Sequence, residues 1–178
     1  MGLLAGAFFA YFFRDPERAI PAEANLIVAP ADGKVVFIDE VAEERFLKIP
    51  ARRVAIFMNV FDVHVNRAPV AAKVAAAAHQ PGRFTAAFRA DASRVNEQYI
   101  WELEGEGGRR VLMVQIAGLL ARRIIPWAAP GQFLAKGQRL GMICFGSRVD
   151  LYLPREWEIL VQVGDKVKAG SSVIGRWA

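Results

Sequence analysis

Short apolar runs separated by turn residues occupy most of the chain after residue 25. The first two runs, residues 26–30 and 34–41, flank Asp32-Gly33, a dipeptide typical of a tight turn between strands. Further runs with strand-like length and composition are residues 53–58, 99–104, 111–116, 139–144, 149–153, 160–163 and 173–177. So many short strands predict a mostly β fold of barrel or sandwich type.

Two segments leave more than one interpretation open. Residues 74–78 are rich in alanine and favour a helix, but Pro69 and Pro81-Gly82 leave little room for one, so a strand is also compatible. Residues 84–98 contain the best remaining helical window. We therefore expect one or two short helices beside the strands.

A loose internal similarity links the two ends of the predicted β region. Residues 27–36 and residues 160–170 each place an Asp-containing turn between short valine-rich stretches. The second stretch resembles half of a biotinyl or lipoyl carrier domain. A quasi-symmetric, flattened β architecture accounts for both stretches.

The first thirteen residues are almost wholly apolar and are followed by Arg14. A membrane-spanning helix needs about 20 apolar residues, and the segment lacks the basic start and small-residue cleavage site of a signal peptide. It suits a segment lying among lipid headgroups, or the remnant of a longer hydrophobic region; a buried first helix is the alternative. We expect residues 1–18 to associate with a membrane and residues 19–178 to form one domain, with Pro16 ending any helix before it.

Composition and charge narrow the function classes. Hydrophobic residues make up 54% of the chain, which excludes a disordered tail. Cys144 is the single cysteine and excludes an internal disulfide, and two histidines disfavour a histidine metal cage. The net charge of +5 favours anionic surfaces, but basic residues occur only as isolated pairs, which argues against nucleic acid as a partner.

Three segments carry the residues from which chemistry is built: residues 31–33, 61–69 and 145–148. Taken alone, each is ordinary, because Asp-Gly is usually a turn, a lone histidine is usually structural and Gly-Ser is a common loop dipeptide. The chain has neither the nucleophile elbow of a hydrolase nor a phosphate-binding P-loop.

In this order and with their flanking residues, the segments resemble the phosphatidylserine decarboxylase proenzyme family in its short bacterial and archaeal form. The similarity covers almost the whole chain. The motifs that carry it lie at residues 11–18, 29–34, 57–69, 79–82, 96–97, 115–118, 121–124 and 145–154.

The resemblance implies a self-cleaving enzyme that breaks its own bond between Gly146 and Ser147. In such a reaction the serine hydroxyl attacks the glycine carbonyl and moves the acyl group from nitrogen to oxygen. Elimination then leaves a dehydroalanine, which hydrolyses to a pyruvoyl group. The products are a large chain of residues 1–146 and a small pyruvoyl chain of residues 147–178, which stay interleaved through the strands on either side of the cut.

Several residues receive roles in this scheme. His64 is the best candidate for the base that activates Ser147, and Asp32 or Asp62 is the best partner to fix its tautomer. Longer family members carry a second histidine where this chain has Arg67, so His64 must act without it or with the help of water.

After maturation, the resemblance implies a Schiff base between the pyruvoyl ketone of Ser147 and the amine of phosphatidylserine, followed by loss of carbon dioxide and release of phosphatidylethanolamine. His64 is the expected proton donor, and no metal or diffusible cofactor is needed. The candidates for contact with the anionic headgroup are Arg67, Arg122, Arg123 and Arg148, for each of which a surface ion pair is an equal alternative. We expect a peripheral enzyme on the cytoplasmic side of the cell membrane, with homo-oligomer formation left open.

The alternative from another class is a non-catalytic carrier or membrane adaptor module. Residues 164–166 support it through their likeness to a biotinyl or lipoyl domain. The absence of the Met-Lys-Met biotin acceptor, and the unneeded segments around His64 and Ser147, weigh against it. A histidine metallopeptidase lacks sufficient ligands.

Overall fold

The computed structural model describes residues 2–44, 46–119 and 123–177, with the backbone alone at position 5. Of these residues, 46% lie in strands and 10% in helices, and the largest sheet is curled into a half-barrel. The predicted mostly β fold is confirmed.

The helices are α1 (Gly2–Phe12) and α2 (Ala92–Val95), and Glu106–Gly108 form a 3₁₀ turn. The strands are β1 (Leu26–Val28), β2 (Gly33–Glu43), β3 (Ile49–Met58), β4 (Val65–Arg67), β5 (Ala72–Gln80), β6 (Gln98–Gly105), β7 (Arg110–Ile116), β8 (Ile124–Pro126), β9 (Phe133–Leu134), β10 (Arg139–Ile143), β11 (Ser147–Pro154), β12 (Glu158–Ile159), β13 (Lys166–Val167) and β14 (Val173–Arg176).

The strands form three sheets with antiparallel pairing between the named strands. The large sheet has the order β13-β2-β3-β11-β7-β6-β5-β9. Two three-stranded sheets, β4-β10-β8 and β1-β14-β12, complete the structure. Consecutive strands β10 and β11 therefore belong to different sheets, and the chain passes from one sheet to the other at residues 144–146.

Apolar residues cover both faces of the central strands. Along β7, Val111 and Met113 point into the main core, while Leu112 and Val114 point into a second cluster on the opposite face. The main core contains residues from all three sheets. A strand buried on both faces reads as a continuous apolar run, which is why β7 was predictable from sequence.

β11 lies in the middle of the large sheet. It pairs with β3 from Ser147↔Met58 to Pro154↔Ala51 and with β7 on its other side. Because side chains alternate along a strand, Ser147 shares the main-core face with Val149. Arg148 shares the opposite face with Tyr152.

The two ambiguous segments have different outcomes. Residues 74–78 lie within β5, where pairing with β6 overrides the helical propensity of alanine. The helix expected over residues 84–98 is reduced to Ala92–Val95, because much of this segment is loop held by contacts distant in sequence. The strand expected at residues 160–163 was wrong: β12 ends at Ile159, and the chain then enters a turn.

The similar segments at the two ends of the β region lie side by side. Val35 donates its N–H to the carbonyl of Asp165, and Gly164 donates back to the carbonyl of Val35. β1 pairs with β14, and β2 with β13. The carrier-like residues 164–166 are thus part of the same fold as the first Asp-Gly turn.

α1 does not bury its apolar residues in the protein. Leu3, Leu4, Phe9 and Phe13 are at least half exposed, whereas Phe12 is completely buried. Among the side chains described in α1, burial is therefore limited to Phe12, which does not support a buried first helix. Within the described parts of the chain, every helix is too short or too polar to cross a membrane.

Residues after α1 fasten the N-terminal segment to the domain. Asp15 forms ion pairs with Arg67, at 2.8 Å, and with Arg139. Arg67 also donates to the carbonyl of Gly137 at 3.1 Å. Because Arg67 is almost fully buried, these contacts fix where α1 leaves the body of the protein.

Candidate active site

The backbone turns sharply at Phe145 and Gly146, directly before the bond predicted to break. Phe145 has φ +56° and Gly146 has φ +60°, so two consecutive residues are left-handed. Glycine adopts this conformation freely, but a residue with a side chain incurs about 1–2 kcal/mol. The phenyl ring of Phe145 stacks on Phe12, with ring centroids 4.2 Å apart, and this contact helps to hold the turn.

The carbonyl oxygen of Gly146 occupies the space that a side chain on residue 118 would need. A Cβ placed on Gly118 would overlap that oxygen and would lie 3.1 Å from the carbonyl carbon. Residue 118 must therefore be glycine for the carbonyl to sit in this position. Gly118 was missed as a site residue, because only the fold brings the end of β7 against the turn.

Ser147 opens β11 and is completely buried. Its Oγ lies 3.5 Å from the Sδ of Met58, the residue paired with it on β3. A thioether is a weak acceptor and cannot take the proton at neutral pH. The hydroxyl is thus held in place without being deprotonated by this neighbour.

His64 is completely buried between the N-terminal helix and the turn. Its ring lies 4.3 Å from that of Phe12, the same ring that stacks on Phe145. Burial lowers the pKa of His64 from 6.5 to about 4, with a smaller effect in the same direction from the positive charge of Arg14. The imidazole is therefore neutral at pH 7.

The tautomer of His64 follows from its hydrogen bond. Nδ1 lies 2.9 Å from the main-chain carbonyl oxygen of Asp62, which can only accept, so Nδ1 carries the proton. Nε2 is left with its lone pair, and it is buried with no hydrogen-bond partner among the described residues. An unpaired buried nitrogen with a free lone pair can act as a base.

The structure places the two expected carboxylate partners of His64, Asp32 and Asp62, in hydrogen bonds with other groups. Asp32 accepts from Arg18 at 2.8 Å and from the N–H of Ala169 at 2.8 Å. The Asp62 carboxylate accepts from the N–H of Asn59 at 2.8 Å and closes a turn. Both carboxylates are therefore hydrogen-bonded to groups other than His64. The main-chain carbonyl of Asp62 fixes the tautomer of the His64 ring.

Asp62 still contributes to the electrostatics of the site. Burial raises the pKa of its carboxyl above the ordinary value, and the negative charge of Asp32 raises it further. The two aspartates therefore lie close enough to interact, although neither carboxylate forms a hydrogen bond with the ring of His64 among the described residues.

Arg148 lies on the face of β11 opposite Ser147. It is fully buried, with Nε 2.7 Å from Asp150. Its guanidinium also donates to the carbonyls of Ala87 and Arg89, at 3.0 and 2.8 Å. These contacts hold the 84–91 loop against the sheet and leave Arg148 badly placed to reach a headgroup.

The other candidate arginines differ in exposure. Arg67 is committed to Asp15 and Gly137, as described above. Arg123 is exposed, and its main-chain carbonyl accepts from the N–H of Cys144, which places it beside the turn. Arg122 lies outside the described residues.

An apolar surface borders the site. We call Phe8, Phe9, Phe13 and Phe61 the apolar rim; all four are at least one-third exposed. Tyr11 and Arg14, at the end of α1, donate to the carbonyl of Phe61 at 3.3 and 2.7 Å, which ties α1 to the loop before His64. The apolar rim therefore leads from the exposed helix to Phe12 and the buried histidine.

Known proteins resemble this chain along nearly its whole length. The family model described as phosphatidylserine decarboxylase matches residues 5–175. The chain is 52% identical to a phosphatidylserine decarboxylase proenzyme of Symbiobacterium thermophilum, over 98% of this chain and 82% of that protein. Proteins of the same name from Desulfotalea psychrophila and Syntrophus aciditrophicus are 46% and 47% identical, over 98% and 97% of this chain and 81% of each relative. Similarity of this extent shows that the chain belongs to the phosphatidylserine decarboxylase family.

Proposed function

We propose that this chain is the precursor of a pyruvoyl-dependent phosphatidylserine decarboxylase that cuts itself between Gly146 and Ser147. The observation that carries the proposal is the left-handed turn that holds the Gly146 carbonyl against Gly118, directly before a buried serine. Family membership supports the same assignment.

Self-cleavage begins with the hydroxyl of Ser147. Nε2 of His64 takes the hydroxyl proton, and Oγ attacks the carbonyl carbon of Gly146. Negative charge develops on the carbonyl oxygen beside the Gly118 backbone. The C–N bond then breaks, the nitrogen receives the proton, and an ester joins Gly146 to the serine oxygen. The left-handed strain at Phe145 favours this step, because breaking the peptide bond frees the turn.

Elimination completes the cut. The Cα proton of Ser147 passes to His64, the Cβ–Oγ bond breaks, and Gly146 leaves as a carboxylate that keeps the former serine oxygen. The dehydroalanine left behind takes up water and loses ammonia. β11 remains held between β3 and β7 after the cut, so residues 1–146 and 147–178 stay in one fold.

The site fits the pyruvoyl group derived from Ser147. The Gly146 carbonyl packs against Gly118 at the turn, and the buried ring of His64, with its unpaired Nε2, contacts the same Phe12 ring that stacks on Phe145. The group supplies an electrophilic carbonyl that captures the substrate amine and accepts the electron pair released with carbon dioxide. His64 holds and moves a proton at Nε2; its low pKa makes the protonated ring a strong acid that passes the proton on readily.

The substrate approaches from the membrane in this proposal. The exposed apolar residues of α1 and the apolar rim lie on the lipid surface, on the cytoplasmic side, while the net charge of +5 attracts anionic headgroups. Arg123 is the headgroup contact that its exposure and its position beside the turn support best. Arg67 and Arg148 position the N-terminal segment and the 84–91 loop.

The carrier alternative is not favoured. Residues 164–166 form a turn bonded to Val35 of β2, within the same fold that holds Ser147. The relatives over nearly the whole chain are decarboxylase proenzymes.

The decisive experiment is a denaturing gel. The wild-type protein is expected to run as fragments of about 16 and 3.5 kDa, estimated from mean residue mass. Ser147→Ala removes the nucleophile and should give one uncut band, whereas Ser171→Ala, a control in the same small chain, should be cut normally. Mass spectrometry should find a ketone at the amino end of the small fragment. An intact wild-type chain with an unmodified serine would contradict the proposal.

Gly118→Ala should block the cut without removing any reactive group. The added methyl needs the space of the Gly146 carbonyl oxygen, so the turn must shift. We expect cleavage to slow at least tenfold, measured as loss of precursor with time. The control is Gly6→Ala, at a glycine of α1 with open space around it. Cleavage of Gly118→Ala at the wild-type rate would remove Gly118 from the site.

The ionisation of His64 can be measured by NMR on uncut Ser147→Ala protein. One of the two histidine resonances should titrate near pH 4, and His79→Gln assigns it. Phe12→Ala exposes the ring and should raise this pKa by at least one unit toward 6.5. The folded pKa lies below the unfolded value, so the stabilising contribution is complete above pH 6.5 and is lost as pH falls through 4. A titration at 6.5 in Ser147→Ala protein with Phe12 intact would show that the ring is not buried.

Membrane association can be tested with vesicles of phosphatidylcholine containing phosphatidylglycerol, an anionic lipid without an amine. The protein should sediment with these vesicles, and less with pure phosphatidylcholine. The double change Phe8→Ser and Phe9→Ser should weaken the partition about tenfold, because two apolar side chains are lost from the interface. Phe133→Ser, at an exposed phenylalanine on β9, is the control. An equal loss of vesicle binding in the double variant and in Phe133→Ser would argue against α1 as the membrane contact.

A further inference from the structure

Four completely buried side chains connect the core to Ser147, which is itself completely buried. Trp101 donates from Nε1 to Oε1 of Gln115 at 2.8 Å, and Gln115 donates from Nε2 to Oδ1 of Asn66 at 2.8 Å. Asn66 points Nδ2 at Sδ of Met58, 3.6 Å away, and the Ser147 hydroxyl lies 3.5 Å from the same sulfur. We call Trp101, Gln115 and Asn66 the amide relay.

The direction of the amide relay is set by its first member. An indole can only donate, so Gln115 must present its oxygen to Trp101 and its NH₂ group to Asn66. Asn66 must then accept with its oxygen and present its own NH₂ group to Met58. The indole therefore fixes an N–H donor, rather than a carbonyl, at the sulfur that also contacts Ser147.

The amide relay links two sheets at the turn. Trp101 and Gln115 lie on β6 and β7 of the large sheet, and Asn66 lies on β4 of a small one. Asn66 pairs with Gly141, where a Cβ would lie 3.5 Å from Nε2 of Gln115. Buried amides in a largely apolar core destabilise a protein unless they are satisfied, and here every contact is directional. Core packing alone does not explain why this series of hydrogen-bonded side chains ends at Ser147.

We propose that Asn66 donates its N–H to the departing serine oxygen during elimination, and that Gln115 and Trp101 are positioning residues for this donor. The proposal rests on the proposed cleavage at Gly146-Ser147. Once the serine is acylated, its oxygen has no proton to give to Met58. In the elimination, the Cα proton goes to His64, the Cβ–Oγ electrons move onto Oγ, and Gly146 leaves as a carboxylate. An N–H beside Oγ stabilises that charge, whereas a carbonyl oxygen would repel it.

Gln115→Glu reverses the relay. The carboxylate still accepts from Trp101 but cannot donate to Asn66, so the Asn66 amide turns and presents its oxygen to the serine site. Trp101→Phe retains an aromatic ring and removes the donor that fixes the direction. Gln98→Glu is the matched control, since Gln98 is an equally buried glutamine on the adjacent strand whose amide bonds to Ser93 outside the relay.

The test follows precursor loss on denaturing gels, with and without hydroxylamine, which cleaves an ester but not a peptide bond under mild conditions. Gln115→Glu and Trp101→Phe should lengthen the cleavage half-time at least tenfold and accumulate full-length chain that hydroxylamine cuts at Gly146. Gln98→Glu should be cut like the wild type. Melting temperatures identify any loss of cleavage due to unfolding, and a structural defect alone would not raise the fraction sensitive to hydroxylamine.

Results that would contradict the role of the amide relay differ from those that would contradict the proposed function. Wild-type cleavage rates in both relay variants, or full-length chain that resists hydroxylamine in both, would overturn the role in elimination. If cleavage of Gln98→Glu were slowed to the same extent, the slower cleavage would come from the buried negative charge and not from the amide relay. Failure of the wild type itself to cut would instead overturn the proposed function.

Discussion

The candidate active site depends on one backbone constraint, the passage of the chain between two sheets at residues 144–146. β10 is held by β4 and β8, whereas β11 is held by β3 and β7. The ladders fix both strands, so the connection must turn within a few residues, and Phe145 and Gly146 become left-handed. The extended pairing of β11 with β3 can support a local strain of about 1–2 kcal/mol. The fold thus stores strain directly before the bond that is proposed to break.

Polar groups around this turn fall into two kinds. Arg148 and Asp150 form a fully buried pair, and Gln115 is satisfied on both sides by Trp101 and Asn66. Nε2 of His64, by contrast, is buried without a partner in the described structure. Leaving a buried nitrogen unpaired has a cost of about 1–3 kcal/mol. Because Nδ1 carries the ring proton, the lone pair of Nε2 is available to take a proton in the proposed reaction.

Local sequence patterns predicted some parts of this site and could not predict others. β7 was predictable because a strand buried on both faces is apolar along most of its length, and β11 was predictable only over residues 149–153, where Val149, Leu151 and Leu153 alternate. Gly146-Ser147 and His64 lie in short recognisable segments. Gly118, Met58 and Asn66 were missed as site residues because separate strands bring them to the turn, a relation that no local pattern records. The helical window at residues 84–98 contains α2, but its boundaries were not predictable, since distant contacts from Arg148 hold much of that segment as loop.

Phe12 joins the proposed membrane contact to the chemistry. It belongs to an otherwise exposed apolar helix, yet its ring stacks on Phe145 and contacts the ring of His64 at a tilt. The same ring excludes water from the imidazole, which keeps His64 neutral, and supports the strained residue before Gly146. If α1 lies on the lipid surface, its last turn places Ser147, the proposed nucleophile, close to the headgroups. The substrate amine can then reach the site while the acyl chains stay in the bilayer, so the fold needs no deep apolar channel for them.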